Sequence, residues 1–274
     1  MLALFTVFFF IFGIIIGSFL NVVILRYNTG MGIDGRSQCF SCGKDLRWFE
    51  LVPLFSYLIL RGKCARCKSK ISWQYPLVEF MTGIVFAFIF LKYSYLLAFS
   101  SGSFVIALLF TLTAASLLIV IFVYDLRHKI IPDGLVYALA LLAFIRLFVE
   151  VPHLWTRGTA ADFLAGPLLA APFAILWLVS KGMWMGFGDA KLALAMGWIL
   201  GIERGFTAVM FAFWIGAAVS LVIIVVQKAR LRGDGKQLTM KSEIPFAPFL
   251  ILGLALIFFL DLHLFGLSQF VSTF

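Results

Sequence analysis

Apolar stretches long enough to cross a bilayer recur along this chain, and they leave it few folds. Met1 to Ile24 contains no lysine or arginine, and a run of ~20 apolar residues matches one helical crossing. Further stretches follow at about Pro76–Leu91 and Phe104–Tyr124, then from after Ile131-Pro132 to about Val149, and at about Phe163–Val179, Ala190–Leu200, Phe206–Val226 and Pro245–Leu264. The chain is 63% hydrophobic and 13% charged, whereas soluble domains run at about 45–50% and about 25%. The expected fold is an all-α polytopic membrane protein with about eight transmembrane helices. The first stretch lacks a basic n-region and a small-residue cleavage site, so it reads as a retained span and not as a signal peptide.

Lysine and arginine alternate between rich and poor loops. The loop after the first span holds Arg26, Arg36, Lys44, Arg47, Arg61, Lys63, Arg66, Lys68 and Lys70; a short turn holds Arg127 and Lys129; the loop before the last span holds Lys228, Arg230, Arg232, Lys236 and Lys241. The intervening loops hold only Lys92, Arg157 and Arg204. Cytoplasmic loops carry the positive charge, so both termini are expected outside the cytoplasm. The net charge of +9 follows from this pattern and implies no nucleic-acid partner.

On that topology two carboxylates fall at cytoplasmic helix ends. Asp125 closes the run Ile119-Val120-Ile121-Phe122-Val123-Tyr124, and Asp189 follows Gly186-Phe187-Gly188. A carboxylate at membrane depth is costly and marks a candidate functional site. Two that meet can share a proton and activate water. Asp189 has a competing role as a helix-start residue favoured by free N–H groups and the macrodipole. Asp125 sits at a helix C-terminus, where the dipole disfavours an anion, so structure alone does not account for it. Asp133 after Pro132 reads as an ordinary helix start. Lys191 reads as a snorkelling residue. Glu79 is either a first-turn carboxylate or part of a polar site with Asn21. His153 and His263 are expected in loops at the opposite membrane face.

All four cysteines lie in the first basic loop, as Cys39-Phe40-Ser41-Cys42 and Cys64-Ala65-Arg66-Cys67, with 21 residues between the pairs. Two such knuckles can complete a tetrahedral thiolate site, so the loop is read as a cytoplasmic zinc knuckle between spans 1 and 2. Redox or free thiols are the other reading, and a reducing cytoplasm disfavours a disulfide. Gly43, after the first pair, stands where a knuckle often needs positive φ. A four-thiolate site is closed and would be structural.

Asp125-Leu126-Arg127-His128-Lys129-Ile130-Ile131-Pro132-Asp133 resembles the first aspartate motif of the type IV prepilin leader peptidases, and Gly186-Phe187-Gly188-Asp189-Ala190-Lys191-Leu192 resembles their second. Gly17-Ser18-Phe19-Leu20-Asn21-Val22-Val23-Ile24, the cysteine pairs, Ile71-Ser72-Trp73-Gln74-Tyr75-Pro76-Leu77-Val78-Glu79 and Glu243-Ile244-Pro245-Phe246-Ala247-Pro248-Phe249-Leu250 are similar to further segments of that family, in order along nearly the whole chain. Arg26 is followed by Tyr27-Asn28, without the proline expected two residues on, and Ala247 stands where glycine is usual.

The resemblance implies a bifunctional enzyme of the bacterial inner (cytoplasmic) membrane. It would cleave the basic leader of type IV prepilins or pseudopilins at the cytoplasmic face, after a glycine, with Asp125 and Asp189 catalytic. It would then methylate the new N-terminal amine from S-adenosyl-L-methionine. Residues 1–92, with the cysteine loop and structural zinc on Cys39, Cys42, Cys64 and Cys67, would form the methyltransferase-associated region, and residues 93–274 the aspartic peptidase membrane domain. Shorter archaeal relatives with the aspartate pair lack such a loop. The substrates implied are those of a type IV pilus, a secretion system or a competence apparatus. A proton-coupled transporter is the alternative from intramembrane acids, but the internal repeats common in transporters are not evident here. A zinc-bearing scaffold would leave both aspartates without a role.

Overall fold

A computed structural model describes residues 1–30, 32, 35–149, 151, 158–230 and 245–262. His153, Arg157, Arg232, Lys236, Lys241, Glu243, Ile244 and His263 lie outside the described residues, as do the side chains of Lys228 and Arg230.

Among the described residues there are nine α-helices and no strands: α1 Leu2–Arg26, α2 Phe55–Ile59, α3 Gln74–Tyr93, α4 Ser101–His128, α5 Asp133–Arg146, α6 Ala160–Ser180, α7 Phe187–Leu200, α8 Ile202–Arg230 and α9 Ala247–Leu260. Each apolar stretch forms a helix, but the expected count of about eight crossings does not follow from helix length. Five segments are long and apolar enough to span a membrane: Leu2–Arg26, Gln74–Ala98, Ser101–His128, Ala160–Ser180 and Ile202–Val226. Helices α5, α7 and α9 have 14 residues each, about 21 Å at ~1.5 Å per residue. That is shorter than the ~30 Å hydrocarbon core. The five long helices make this an integral membrane protein.

The chain forms two compact units, Met1–Val120 and Ile121–Phe274, divided within α4. In the first, α1 packs along α3 through glycine. A Cβ on Gly17 would lie 2.8 Å from Glu79 Cα, and one on Gly83 would lie 2.9 Å from Ile14 Cγ1. Small residues let membrane helices approach this closely. Phe9 stacks on Phe90 with centroids 4.8 Å apart. Buried polar groups in this seam bond the neighbouring backbone: Asn21 Nδ2 donates to Gly17 O and to Tyr75 O at 3.3 and 3.2 Å. The Leu54 backbone N–H donates to Glu79 Oε2 at 2.8 Å, and Ser18 bonds the same carboxylate. Glu79 lies beyond the first turn of α3, so it belongs to this polar seam with Asn21, not to the helix dipole.

In the second unit α7 packs against α5, α6, α8 and α9. Its buried positions are mostly small: Ala190, Ala193, Ala195 and Gly197, with Leu192 and Met196. A Cβ on Gly197 would collide with the Ala165 carbonyl of α6. Trp198 Nε1 donates to Phe163 O of α6 at 3.0 Å, and Arg146 of α5 donates to Trp198 O at 3.1 Å. A Thr159–Asp162 capping box fixes the start of α6. The helix that carries Asp189 is thus held from several sides.

Candidate functional site

Asp189 is the third residue of α7, whose N-cap is Gly186. Its side chain is 7% exposed. The Gly-x-Gly in front is not there for left-handed backbone, because Gly186 has φ −72° and Gly188 is not among the positive-φ residues. The two glycines serve space in different ways. A Cβ on Gly188 would sit 2.8 Å from Ile131 Cβ, so glycine is needed for α7 to start against the α4–α5 connection. Gly186 is exposed, and a Cβ there would meet nothing closer than 4.0 Å. One flank of Asp189 is therefore packed, and the glycine that begins the helix is open.

Asp125 lies in the last turn of α4 and is 3% exposed. Lys129 closes that helix in left-handed conformation, its N–H bonded to Asp125 O at 2.7 Å. The expected conflict between Asp125 and its own helix dipole is offset by another helix. The backbone N–H of Ala247, the first residue of α9, hydrogen-bonds the Asp125 carboxylate. Free amides and the positive end of a helix favour an anion. The Pro245-Phe246-Ala247-Pro248 segment thus enters the site through its backbone. In the sequence this segment stands out by resemblance alone, and nothing there assigns Ala247 a role.

Asp125 and Asp189 belong to the same compact unit and are near enough for the charge of one to act on the other. Asp125 Oδ2 and Asp189 Oδ1 are both buried without a hydrogen-bond partner among the described residues. Two buried carboxylates at such range repel when both are ionised, and an unpartnered buried oxygen is costly. A shared proton, or a donor such as water or a peptide N–H, would relieve both costs.

Asp133 and Lys191 stand beside this pair with other duties. Lys191 Nζ bonds Asp133 Oδ1 at 2.8 Å, joining the start of α5 to α7. The ammonium also lies 4.9 Å from the Tyr137 ring centroid and 5.3 Å from that of Phe187. The lysine expected to snorkel is paired with Asp133, and Asp133 is a helix-start residue bound to that neighbour.

The four cysteines converge in the first unit. Each pair forms the same turn. Gly43 N–H bonds Cys39 O and Lys68 N–H bonds Cys64 O, at 2.9 and 3.1 Å, while Cys39 N–H bonds Lys44 O and Cys64 N–H bonds Ser69 O, both at 2.9 Å. Isolated bridges Gln38–Asp45 and Lys63–Lys70 flank the turns. The residue after each second cysteine has positive φ: Gly43 at 66°, as expected, and Lys68 at 59°.

All four sulfurs lie within 4.8 Å of one another. Metal–sulfur bonds of ~2.3 Å in a tetrahedron require sulfurs about 3.8 Å apart, and Cys39 Sγ and Cys67 Sγ are 3.8 Å apart. Backbone N–H groups of Ser41 and Cys42 bring the Cys39 thiol down to about 6, and Ser69 lowers that of Cys67. Cys42 moves oppositely. The Lys44 backbone favours its thiolate, but burial and its Cys39 and Cys67 neighbours together push it up to about 11. Sulfurs this crowded compete for negative charge, and a bound cation would remove the competition. The set fits a thiophilic metal.

Beside the knuckles, Glu50 is buried and bonded by Lys44 Nζ at 2.9 Å. The Arg47 backbone N–H and then Lys44 hold its carboxyl below the usual range.

Two family descriptions match the chain in order: the bacterial peptidase A24 N-terminal domain over residues 11–93 and the type IV leader peptidase family over residues 112–221. The prepilin leader peptidase/N-methyltransferase of Stutzerimonas stutzeri is 30% identical over 269 residues, 88% of this chain and 85% of its own length. That of Bacillus subtilis (strain 168) is 30% identical over 249 residues, 89% of this chain and 90% of its own. That of Myxococcus xanthus (strain DK1622) is 33% identical over 228 residues, 81% of this chain but 64% of that longer relative. No solved structure matches the chain. Both matched segments fall where the motifs lie, and the second contains both Asp125 and Asp189. The chain belongs to the type IV leader peptidase family.

Proposed function

We propose that this protein removes the basic leader of type IV prepilins or pseudopilins at the cytoplasmic face of the bacterial inner membrane and then methylates the new N-terminal amine. The names of its relatives, prepilin leader peptidase/N-methyltransferase, support both steps. The observation that carries the peptidase assignment is the aspartate pair. Two buried carboxylates act on one another across the end of α4 and the start of α7, each with an unpartnered oxygen.

The chemistry follows from that geometry. One carboxylate is ionised and takes a proton from water. The resulting hydroxide oxygen bonds to the scissile carbonyl carbon, while the protonated partner donates to the carbonyl oxygen. As the tetrahedral gem-diol collapses and the C–N bond breaks, the leaving amine takes a proton from the newly protonated carboxyl group while a gem-diol hydroxyl returns its proton to the other carboxylate, which leaves the pair with one proton again. Roles are not divided between Asp125 and Asp189, because close carboxylates titrate as a pair. A substrate with a basic leader and an apolar helix would hold its scissile bond at the membrane–water interface. The open side at Gly186 gives an extended peptide room to approach.

Residues 1–92 support the second activity and residues 93–274 the first. Zinc would sit on Cys39, Cys42, Cys64 and Cys67 as a closed structural site that holds the loop's two knuckles together. S-adenosyl-L-methionine would supply the methyl group and depart as S-adenosylhomocysteine, with the amine giving up a proton.

The test is cleavage of a prepilin by purified protein, with methyl transfer to precleaved pilin scored in parallel. Asp125→Asn and Asp189→Asn should each lower cleavage at least ~10³-fold, in the range seen when one member of a catalytic constellation is removed, and leave methylation intact. Cleavage that survives either change would reassign the pair to structure and return weight to proton-coupled transport.

A further inference from the structure

The loop between α1 and α3 exposes more apolar surface than a solvated loop needs. Trp48 is 80% exposed, Phe55 66%, Leu58 70%, Ile59 78% and Trp73 76%. Phe55, Leu58 and Ile59 recur at i, i+3 and i+4 on α2 and so share one side of that turn. Contiguous exposed apolar surface of this kind marks an interaction site. The same loop, residues 27–73, carries eight lysines and arginines against three acids. Lys44, Arg47 and Arg66 line a cavity of about 410 Å³ together with Phe49, Glu50 and Ala65. Glu50 is taken by Lys44 and by the Arg47 backbone, and among the described residues Arg66 makes no ion pair.

Connectivity says what lies beside this surface. The loop leaves α1 at Arg26 and enters α3 at Gln74, and both helices belong to membrane-crossing segments. The Leu54 N–H bond to Glu79 of α3 ties the middle of the loop, at the start of α2, to the same crossing helix. Tryptophan and tyrosine favour the headgroup level, apolar faces sink just below it, and clustered lysine and arginine attract anionic lipid.

We propose that this loop is a membrane-docking foot. The ridge from Trp48 to Ile59, with Trp73, inserts at the bilayer interface, and the Lys44–Arg47–Arg66 cavity takes the phosphate of an anionic phospholipid. The docking would fix the cysteine knuckles at the membrane surface. The inference rests on α1 and α3 as crossings and not on the enzymatic reading.

The test uses the full-length protein in nanodiscs of phosphatidylcholine with and without phosphatidylglycerol. The photo-crosslinker p-benzoylphenylalanine replaces Leu58 or Ile59, and adducts are identified by mass spectrometry. Phospholipid adducts are expected at both positions, with phosphatidylglycerol enriched several-fold over its share of the bilayer. The enrichment should vanish in the Arg47→Glu/Arg66→Glu protein while adducts at 58 and 59 persist. Should that variant fail to insert, salt titration of the parent protein serves instead, since high ionic strength screens such attraction. Adducts to the protein's own chain, to a second copy or to nothing would overturn the docking. Enrichment indifferent to salt would overturn the anionic-lipid assignment.

Discussion

At Gly188 one methyl group is already too many. The added Cβ would meet Ile131 Cβ at 2.8 Å and Ile131 Cδ1 at 3.1 Å, and overpacking of this kind costs about 1–3 kcal/mol. Because the displaced backbone belongs to the turn that begins α7, the disturbance falls next to Asp189. Gly188→Ala should lower cleavage about 10-fold or more, and Ile131→Ala in the same protein should recover part of it. No recovery would place the defect elsewhere. Gly186→Ala is the contrast, since nothing crowds that position. A fall in kcat/KM with unchanged thermal stability there would mark the open side as the path of the peptide. The pair itself predicts a bell-shaped pH profile for cleavage, because one carboxylate must be ionised and its partner protonated. Activity is lost below the lower apparent pKa, where both carry protons, and above the upper one, where neither does. A rate flat from mildly acidic to alkaline pH would refute the paired-acid mechanism. The sequence singled out both aspartates as acids at apolar helix ends. It did not show the Ala247 amide on Asp125, because that contact joins residues far apart in the chain and uses a backbone atom that any residue could supply.

Helix α7 explains why its small residues matter as a set. It packs on four other helices, and membrane helices gain little from hydrophobic transfer, so close packing by small side chains carries their association. Gly197 lies directly on Ala165 of α6, and Gly253 of α9 lies directly on Ala208 of α8. Gly197→Val should therefore part α6 from α7. The expected result is a thermal midpoint in detergent lowered by several degrees and a loss of cleavage that a longer assay does not restore. A midpoint equal to the parent's would show that the seam tolerates separation. The apolar pattern revealed that each of these elements is a helix, since every stretch became one. Their lengths were less legible. Helices α5, α7 and α9 stop at 14 residues, cut by Pro132, by the glycines at 186 and 201, and by the Phe246–Pro248 start, and hydropathy averaged across these breaks reads through them. The knuckles were the reverse case. Local Cys-x-x-Cys spacing and Gly43 sufficed to foresee the turn, whereas the left-handed Lys68 had no signal, lysine being an unfavoured residue there.

The two compact units bear on whether the activities separate. Met1–Val120 holds the cysteine cluster and the Asn21–Glu79 seam, while Ile121–Phe274 holds both aspartates. Loss of one knuckle ligand should act first on the unit that contains it. Cys39→Ser removes a sulfur 3.8 Å from Cys67 Sγ and leaves three thiolate ligands, too few to close a structural tetrahedral site. The loop would then lose the cross-link that a bound metal would make between residues 39–42 and 64–67, and Glu50, buried beside it on Lys44, would lose part of its support. Methyl transfer to precleaved pilin should fall at least ~10-fold, the lower end of what perturbing a metal site costs, with cleavage changed less than about threefold. Metal content measured on the same preparation should drop in parallel. Treating the parent protein with a strong chelator should reproduce the split, and zinc should reverse it. An equal loss of both activities in inserted, monodisperse protein would mean that the knuckles support the aspartate site as well, and the division into two working parts would fail.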